Sequence, residues 1–204
     1  MIVIVDYGMS NLQSIKFKLG RNGIKSIITS NPDKIAKSDK LILAGVGHFG
    51  KAMENLNEMN LLDILNEKIV VEKCPIFGIC LGMQLFSNYS EEGNSKGLGW
   101  IDGTVKRFSF KSDSNLKIPH VGWNSIKLLH KDRLIPEIRA IQYFYFTHSY
   151  HMVCDDDIIV AQTDYGFMFP SIIRKGNIFG TQFHPEKSHL SGFQMLKEFC
   201  EDFA

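Results

Sequence analysis

Three short apolar runs, separated by segments with helical periodicity, constrain the fold more than any other feature of the sequence. The runs are IVIV at 2–5, LILA at 41–44 and PIFGI at 75–79. Strands buried on both faces read as continuous apolar runs, which are typical of parallel sheets covered by helices. Leu12, Ile15 and Leu19 recur at helical spacing after the first run. This order predicts an α/β fold with a doubly wound, mostly parallel sheet and helices on both faces.

The same patterns place the remaining elements. We expect a strand at IKSII (24–28), a helix from the GVGHFG loop through Val71, and a further helix opening with LGMQLF (81–86). From 99 to about 173, short strand-like runs between turns predict an additional antiparallel region: WIDGTVKRF, NSIKLL, YFYFTHSY and DIIVAQ. A final amphipathic helix is expected at about 190–203, with its inward face formed by Phe193, Leu196, Phe199 and Cys200. No repeat or linker interrupts the chain, so we expect one domain over 1–204.

Charge and cysteine content limit the classes of binding partner and the cellular compartment that we expect. The net charge is +1 and the basic residues are scattered, which argues against nucleic acid or an anionic membrane as the main partner. The cysteines show no zinc-ligand spacing, so no metal site is expected, and their unpatterned placement favours reduced thiols in the cytoplasm. They are Cys74, Cys80, Cys154 and Cys200.

Cys80 lies between two glycines at the end of an expected strand, in G-I-C-L-G. This is the layout of a nucleophile elbow, in which Gly78 and Gly82 leave room for a tight turn. A helix beginning after the turn would aim its dipole at the sulfur and favour the thiolate. The alternative is a cysteine packed in the core.

His184 and Glu186, in QFHPEK, are the expected partners of this nucleophile. They follow another strand at the same sheet edge, where ligands of such sheets bind. Pro185 would keep the backbone extended, so that residues two apart point the same way and the carboxylate orients the ring. A surface turn after an edge strand is the alternative.

Acyl chemistry also needs hydrogen-bond donors for an oxyanion. The amide of Leu81 is one candidate, and the second is expected from Gly45-Val46-Gly47 at the end of the neighbouring strand. A tight turn that binds no ligand explains these glycines equally well.

Six segments together resemble a known family. They are GICLGMQ, HPEKS, VDYGMSN, AGVGHFG, PHVGWN and FTHSY. The first two are similar to class I (triad) glutamine amidotransferases, and the other four narrow the resemblance to the glutaminase subunits of imidazole glycerol phosphate synthases, from histidine biosynthesis. The resemblance covers essentially the whole chain in the expected order.

The resemblance implies that Cys80, His184 and Glu186 hydrolyse glutamine to glutamate and ammonia through a glutamyl thioester. It places Gln84 and Glu92 at the glutamine, with backbone groups of Gly47, Ser149 and Tyr150 assisting. It implies no cofactor.

The resemblance also implies a partner. The family passes ammonia to a (β/α)₈-barrel cyclase subunit in a heterodimer, and the matching interface positions are Asn11, Trp123, Tyr145 and Lys187. Two residues depart from the family pattern: Ala44 stands where proline is usual, and Ser10 where glycine is usual.

Three other functions remain open. The same glutaminase can serve a different synthase, such as one that amidates surface sugars. A cysteine peptidase or related hydrolase is a second alternative, and a regulatory module that keeps the fold without catalysis is a third.

Overall fold

One large sheet with helices on both faces organises the chain. A computed structural model describes residues 1–9, 12–135 and 142–202. The strands are Ile2–Val5 (β1), Ser26–Thr29 (β2), Lys40–Gly45 (β3), Ile76–Cys80 (β4), Tyr89–Ser90 (β5), Ser95–Lys96 (β6), Gly103–Arg107 (β7), His120–Ser125 (β8), Lys127–Leu128 (β9), Tyr143–His148 (β10), Tyr150–Cys154 (β11), Ile159–Asp164 (β12), Met168–Lys175 (β13) and Ile178–Thr181 (β14). The α-helices are Leu12–Gly20 (α1), Pro32–Ala36 (α2), Phe49–Glu58 (α3), Leu62–Asn66 (α4), Leu81–Gln84 (α5) and His189–Asp202 (α6).

The main sheet confirms the predicted topology. Within the described residues it has the strand order β2-β1-β3-β4-β14-β13-β12-β9. The first five strands of this order run parallel, whereas β13, β12 and β9 pair in antiparallel fashion. The parallel half comes from the alternating strands and helices, and the antiparallel half from the strand-rich segment.

Both faces of the sheet are buried, as the apolar runs predict. Along β1, Ile4 packs into one hydrophobic cluster while Val3 and Val5 pack into the other. Helices α1 and α6 cover the first face, and α3 covers the second. Among the described residues, no helix combines the length and the apolar character that crossing a membrane requires.

The segment YFYFTHSY, expected as one strand, divides at Ser149. Strand β10 pairs with β8 in a two-stranded sheet, and β11 pairs with β7 in a separate sheet of order β11-β7-β5-β6 within the described chain. The burial alternation of β10 continues to His148 and is broken in β11, where neighbouring His151 and Met152 are both buried. Ser149 thus lies between strands of two different sheets.

The helix expected through Val71 consists of three pieces. Helix α3 ends at Glu58, Asn60 adopts a left-handed φ of 54°, and α4 leads into a π-helical turn at Glu67–Val71. The second strand is also shifted, to Ser26–Thr29. The final helix spans His189–Asp202, with its predicted inward residues Leu196, Phe199 and Cys200 buried and Phe193 half-buried.

The helix expected to continue beyond LGMQ stops after a single turn. The carbonyls of Leu85 and Phe86 accept hydrogen bonds from the amides of Leu98 and Ile101, at 2.8 and 2.9 Å. These carbonyls are therefore not available to a continuing helix, and the chain turns into β5.

Candidate active site

Cys80 ends β4 at a sharp strand-to-helix turn. Its φ of 54° and ψ of −108° are rare for a residue with a side chain. Such a conformation costs about 1–3 kcal/mol and is concentrated at functional sites. Cys80 is only 5% exposed, yet it lines a pocket. The strained backbone and the pocket distinguish it from an ordinary core cysteine.

The flanking glycines are required by close packing, as predicted. A Cβ at Gly78 would lie 2.5 Å from the ring of Phe86 and 2.8 Å from the Cα of Met83. A Cβ at Gly82 would collide with the backbone carbonyl of Leu43 on the adjacent β3. Leu43 belongs to a central strand, which cannot move aside without breaking the sheet.

The helix after Cys80 is too short for its dipole to favour the thiolate as strongly as predicted. This helix has only four residues, so few peptide dipoles are aligned behind the sulfur. Stabilisation of a charged sulfur therefore depends mainly on neighbouring side chains.

His184 and Glu186 form a buried pair. The Nδ1 atom of the ring lies 2.9 Å from a carboxylate oxygen, Oε1. The backbone reason differs from the predicted one: Pro185–Lys187 forms a 3₁₀ turn, not an extended segment, and this turn folds the carboxylate back onto the ring. Because the carboxylate accepts from Nδ1, Nε2 is the nitrogen left for the nucleophile.

The charge of this pair is coupled to Cys80. Burial lowers the pKa of His184, but the charge of Cys80 and a hydrogen bond to its sulfur, followed by the interactions with Glu186, outweigh burial and raise it above its usual range. No hydrogen bond of ordinary geometry reaches the buried Nε2 within the described residues, so the sulfur acts on the ring mainly through its charge. The charges of Cys80 and Glu186 thus favour the protonated ring, whereas burial opposes it.

Two further groups near the sulfur were not among the predicted residues. The Nε2 atom of Gln182 lies 3.7 Å from Sγ of Cys80, and the Thr147 carbonyl lies 3.9 Å from it. Gln182 occurs two residues before His184 in TQFHPE, but its position in the sequence does not show which way its amide points.

A pocket of about 280 Å³ opens beside Cys80. Its walls bring together residues from five separate segments of the chain. They are Val46, Gly47, Cys80, Leu81, Gln84, Glu92, Pro119, Thr147, His148, Ser149 and Tyr150. The set includes every residue that the family resemblance places at the substrate.

Gln84 and Glu92 are both fixed by hydrogen bonds. The Nε2 atom of Gln84 donates to the Tyr150 carbonyl at 2.9 Å and to Oε1 of Gln182 at 3.0 Å. An Oε2 atom of Glu92 accepts from the amide of Phe49 at 2.9 Å, at the N-terminus of α3. The side-chain oxygen of Gln84 is therefore the amide atom left for a ligand, and a carboxylate lies nearby.

The glycine-rich loop after β3 is next to the nucleophile. Gly45 is paired with Cys80 in the register of β3 and β4, and Gly47 has a φ of 129°. A Cβ at Gly45 would collide with the hydroxyl of Tyr7, which is buried and whose pKa is raised by burial and by the charge of Cys80. Leu81 begins α5, so its amide has no acceptor within the helix.

Comparison with known proteins decides the family. The model of the family described as Glutamine amidotransferase class-I matches residues 3–203. The chain belongs to the class I glutamine amidotransferases. Two similar relatives come from Methanococcus maripaludis: imidazole glycerol phosphate synthase subunit HisH 2 is 48% identical over 98% of this chain and 99% of that protein. Subunit HisH 1 is 43% identical over the same shares of the two chains.

The fold of this amidotransferase also matches solved structures. A crystal structure described as glutamine amidotransferase has a TM-score of 0.76 and covers 100% of this chain and 98% of its own, at 17% identity. At that identity the likeness supports the α/β fold alone.

One face of the amidotransferase carries exposed aromatic residues near the catalytic turn. Trp123 is 45% exposed and pairs with Tyr145 across β8 and β10, with ring centroids 6.0 Å apart. The Nζ atom of Lys187 lies 5.6 Å from the Tyr145 ring. The Tyr145 carbonyl accepts from the amide of His184 at 2.9 Å, which joins this face to the catalytic pair. Asn11 and Ser10 lie outside the described residues.

Within the residues that the structure describes, no group of three or more His, Cys, Asp or Glu side chains is arranged to hold a metal ion.

Proposed function

We propose that this chain is the glutaminase subunit of an imidazole glycerol phosphate synthase, which hydrolyses glutamine and supplies ammonia to a cyclase subunit in histidine biosynthesis. The observation that carries the proposal is the Cys80 sulfur on a strained elbow, beside the buried His184–Glu186 pair and open to a pocket. The HisH relatives match the chain over nearly its whole length, and their names identify the synthase as imidazole glycerol phosphate synthase.

Each catalytic side chain has one role. The charged sulfur of Cys80 attacks the side-chain carbonyl carbon of glutamine, and the C–N bond breaks as His184 gives its proton to the departing nitrogen, which leaves as ammonia. Water then adds to the glutamyl thioester while His184 takes a proton, and the C–S bond breaks to release glutamate. Glu186 keeps the ring oriented in both steps.

The oxyanion formed in each step needs backbone donors. We assign them to the amide of Leu81 and to the loop of Gly45, Val46 and Gly47. The support is that this loop begins at the strand position paired with Cys80, so both sets of donors flank one sulfur.

Glutamine recognition follows from the atoms that the pocket leaves available. The Gln84 side-chain oxygen and the Glu92 carboxylate suit the α-ammonium group. The carbonyl of Ser149 already accepts from the amide of Phe108, and that of Tyr150 from Gln84. The N–H groups of Ser149, Tyr150 and Gly47 are therefore assigned to the substrate carboxylate.

We further propose that the partner is a (β/α)₈-barrel cyclase that docks on the face formed by Trp123, Tyr145 and Lys187. The family resemblance adds Asn11, which lies outside the described residues. Exposed aromatic and basic side chains of this kind often anchor interfaces. We also propose a single domain over 1–204, and a cytoplasmic setting in which the four free cysteines stay reduced.

The test is a Cys80→Ala variant studied with the histidine-pathway cyclase subunit. We expect the variant to lose glutamine hydrolysis in the complex and to bind the cyclase as the unchanged protein does, because the thiol lies in the pocket. Glutamate release would be followed together with complex formation by size-exclusion chromatography. Continued hydrolysis by Cys80→Ala would refute the assignment of the nucleophile.

A second ammonia acceptor is favoured by one observation. Methanococcus maripaludis has two proteins named as HisH subunits, and this chain is similar to both. Two such glutaminases in one organism fit a second synthase, such as one that modifies surface sugars. Glutamine-dependent cyclase activity on reconstitution supports the histidine pathway. If the cyclase subunit is not stimulated and forms no complex with this chain, the alternative is favoured.

A further inference from the structure

Gln182 contacts both Cys80 and the pocket residue Gln84 and is not used by the mechanism above. It is fully buried just after β14. Its Nε2 atom is 3.7 Å from Sγ of Cys80, and its Oε1 atom is 3.0 Å from Nε2 of Gln84. One carboxamide therefore contacts both the reacting sulfur and a wall of the pocket.

The orientation of this carboxamide is dictated by a backbone carbonyl. The carbonyl oxygen of Tyr150 can only accept, so the Gln84 atom 2.9 Å from it is an N–H donor. The second N–H of the same nitrogen points to Gln182, which must present its oxygen there. The Gln182 nitrogen is left facing Cys80, and it is a donor.

A second chain of hydrogen bonds holds the same carbonyl. Nδ1 of His148 lies 2.7 Å from the Tyr150 oxygen, and Nε2 of His148 lies 3.1 Å from Nδ1 of His120. Nε2 of His120 is 3.4 Å from Nδ2 of Asn124, which also donates to the Asp164 carbonyl at 2.9 Å. Both ends of this chain of hydrogen bonds are backbone carbonyls, which can only accept. Asn124 therefore donates toward both ends, and His120 and His148 each donate from Nδ1 in the direction of Tyr150.

The sulfur meets different partners in its two protonation states. As a thiol, Cys80 can donate to the Thr147 carbonyl at 3.9 Å. As a thiolate it can only accept, and Gln182 then offers an N–H in addition to the ring of His184. A hydrogen bond to a charged group is stronger than one between neutral groups.

We infer that Gln182 is a positioning residue, whose N–H holds the charged Cys80 sulfur in place for attack on the substrate. The inference rests on the proposed glutaminase function. It assigns to Gln182 the role of holding the sulfur in position, which neither Cys80 nor His184 performs.

The test compares Gln182→Leu with the unchanged protein by alkylation with iodoacetamide, followed residue by residue by mass spectrometry. Burial raises the pKa of Cys154 and of Cys200 to about 12, so these thiols stay protonated and react slowly. Loss of one charge-assisted hydrogen bond predicts about tenfold slower alkylation of Cys80 at pH 7. The dependence of the rate on pH should move to higher pH, which a purely packing role would not cause.

Two further variants complete the test. Gln182→Glu keeps the shape of the side chain but turns a carboxylate toward the sulfur, so we expect slower alkylation than in Gln182→Leu. Gln162→Leu, at a half-buried position of β12, should match the unchanged protein. In the complex, both Gln182 variants should lower kcat for glutamine by about tenfold or more.

The outcomes separate the two proposals. Gln182 variants that alkylate and turn over like the unchanged protein would overturn the positioning role. If Gln182→Leu fails to fold, Gln182→Glu alone decides. If the unchanged complex releases no glutamate, the proposed function fails, while the alkylation comparison still tests Gln182.

Discussion

Glu186 holds the ring of His184 through a 2.9 Å contact with Nδ1, and this contact determines which nitrogen faces the sulfur. We predict that Glu186→Gln lowers kcat at least about tenfold and leaves KM for glutamine nearly unchanged, because this carboxylate does not line the pocket beside Cys80. The pKa of His184 should fall, since one of the groups that raise it loses its charge. Steady-state glutaminase assays of the complex measure the kinetic effect, and an unchanged kcat would contradict it.

The glycines of the elbow give a second prediction with a matched control. Gly82→Ala should destabilise the protein by about 3 kcal/mol, because the added methyl meets the Leu43 carbonyl of a central strand. Gly20→Ala, at the end of α1, meets no atom within 4 Å and should stabilise the protein by about 0.5 kcal/mol. Urea unfolding of both variants measures the difference; equal stabilities would refute the steric account.

The functional roles of single residues differ in how well they can be predicted from the sequence. Cys80, His184 and Glu186 were predicted because a thiol between glycines and a histidine near a carboxylate have chemical meaning in any fold. The role of Gln182 could not be predicted, because an amide acquires a direction only from its neighbours, here Gln84 and the Tyr150 carbonyl.

At the scale of elements, strands β8 and β10 bury two histidines among aromatic rings. The ring of His120 stacks on the ring of Tyr165, with centroids 3.9 Å apart. Nε2 of His148 forms a hydrogen bond with Nδ1 of His120 at 3.1 Å. Burial lowers the pKa of His120 to about 4 and that of His148 to about 3, so both rings are neutral in the folded protein near neutral pH.

This burial predicts acid destabilisation. In the unfolded chain both rings take up protons below about pH 6.5, whereas the folded protein binds them only near pH 4 and below. The free energy of unfolding should therefore decrease as pH falls from about 6.5 to about 4, by about 1.4 kcal/mol per pH unit for each ring. Urea unfolding at pH 7 and pH 5 measures it.

Variants assign the effect to these rings. His120→Phe should keep the ring stacking and lose the dependence due to one proton. The exposed His130→Gln should keep the full dependence. Equal unfolding free energies at pH 7 and pH 5 in the unchanged protein would contradict the prediction.

The strands of the sheet were easier to predict than the helix after Cys80. Apolar runs such as residues 41–44 report burial on both faces directly. The run LGMQLF has the composition of a helix, and it ends early because Leu98 and Ile101 bond to its carbonyls. Such competition involves a distant segment, so local pattern does not contain it.

For the whole molecule, the exposed aromatic face gives the fourth prediction. Trp123→Ala should weaken the complex with the cyclase subunit by at least about tenfold, because a large exposed aromatic side chain commonly anchors an interface. Met168→Ala, similarly exposed at 41% on β13, is the control. Calorimetric titration of the two subunits gives both affinities, and equal effects of the two substitutions would exclude Trp123 as an anchor.

The pairing of Gly45 with Cys80 has a mechanical consequence for any activation by a partner. Adjacent strands are spaced by about 4.8 Å, and the ladder of β3 and β4 fixes that spacing up to this last pair. The loop that we propose as an oxyanion donor thus has one anchored end. A docking subunit can rotate the peptide planes at Val46 and Gly47, but it cannot slide the loop toward or away from the sulfur without unzipping the sheet.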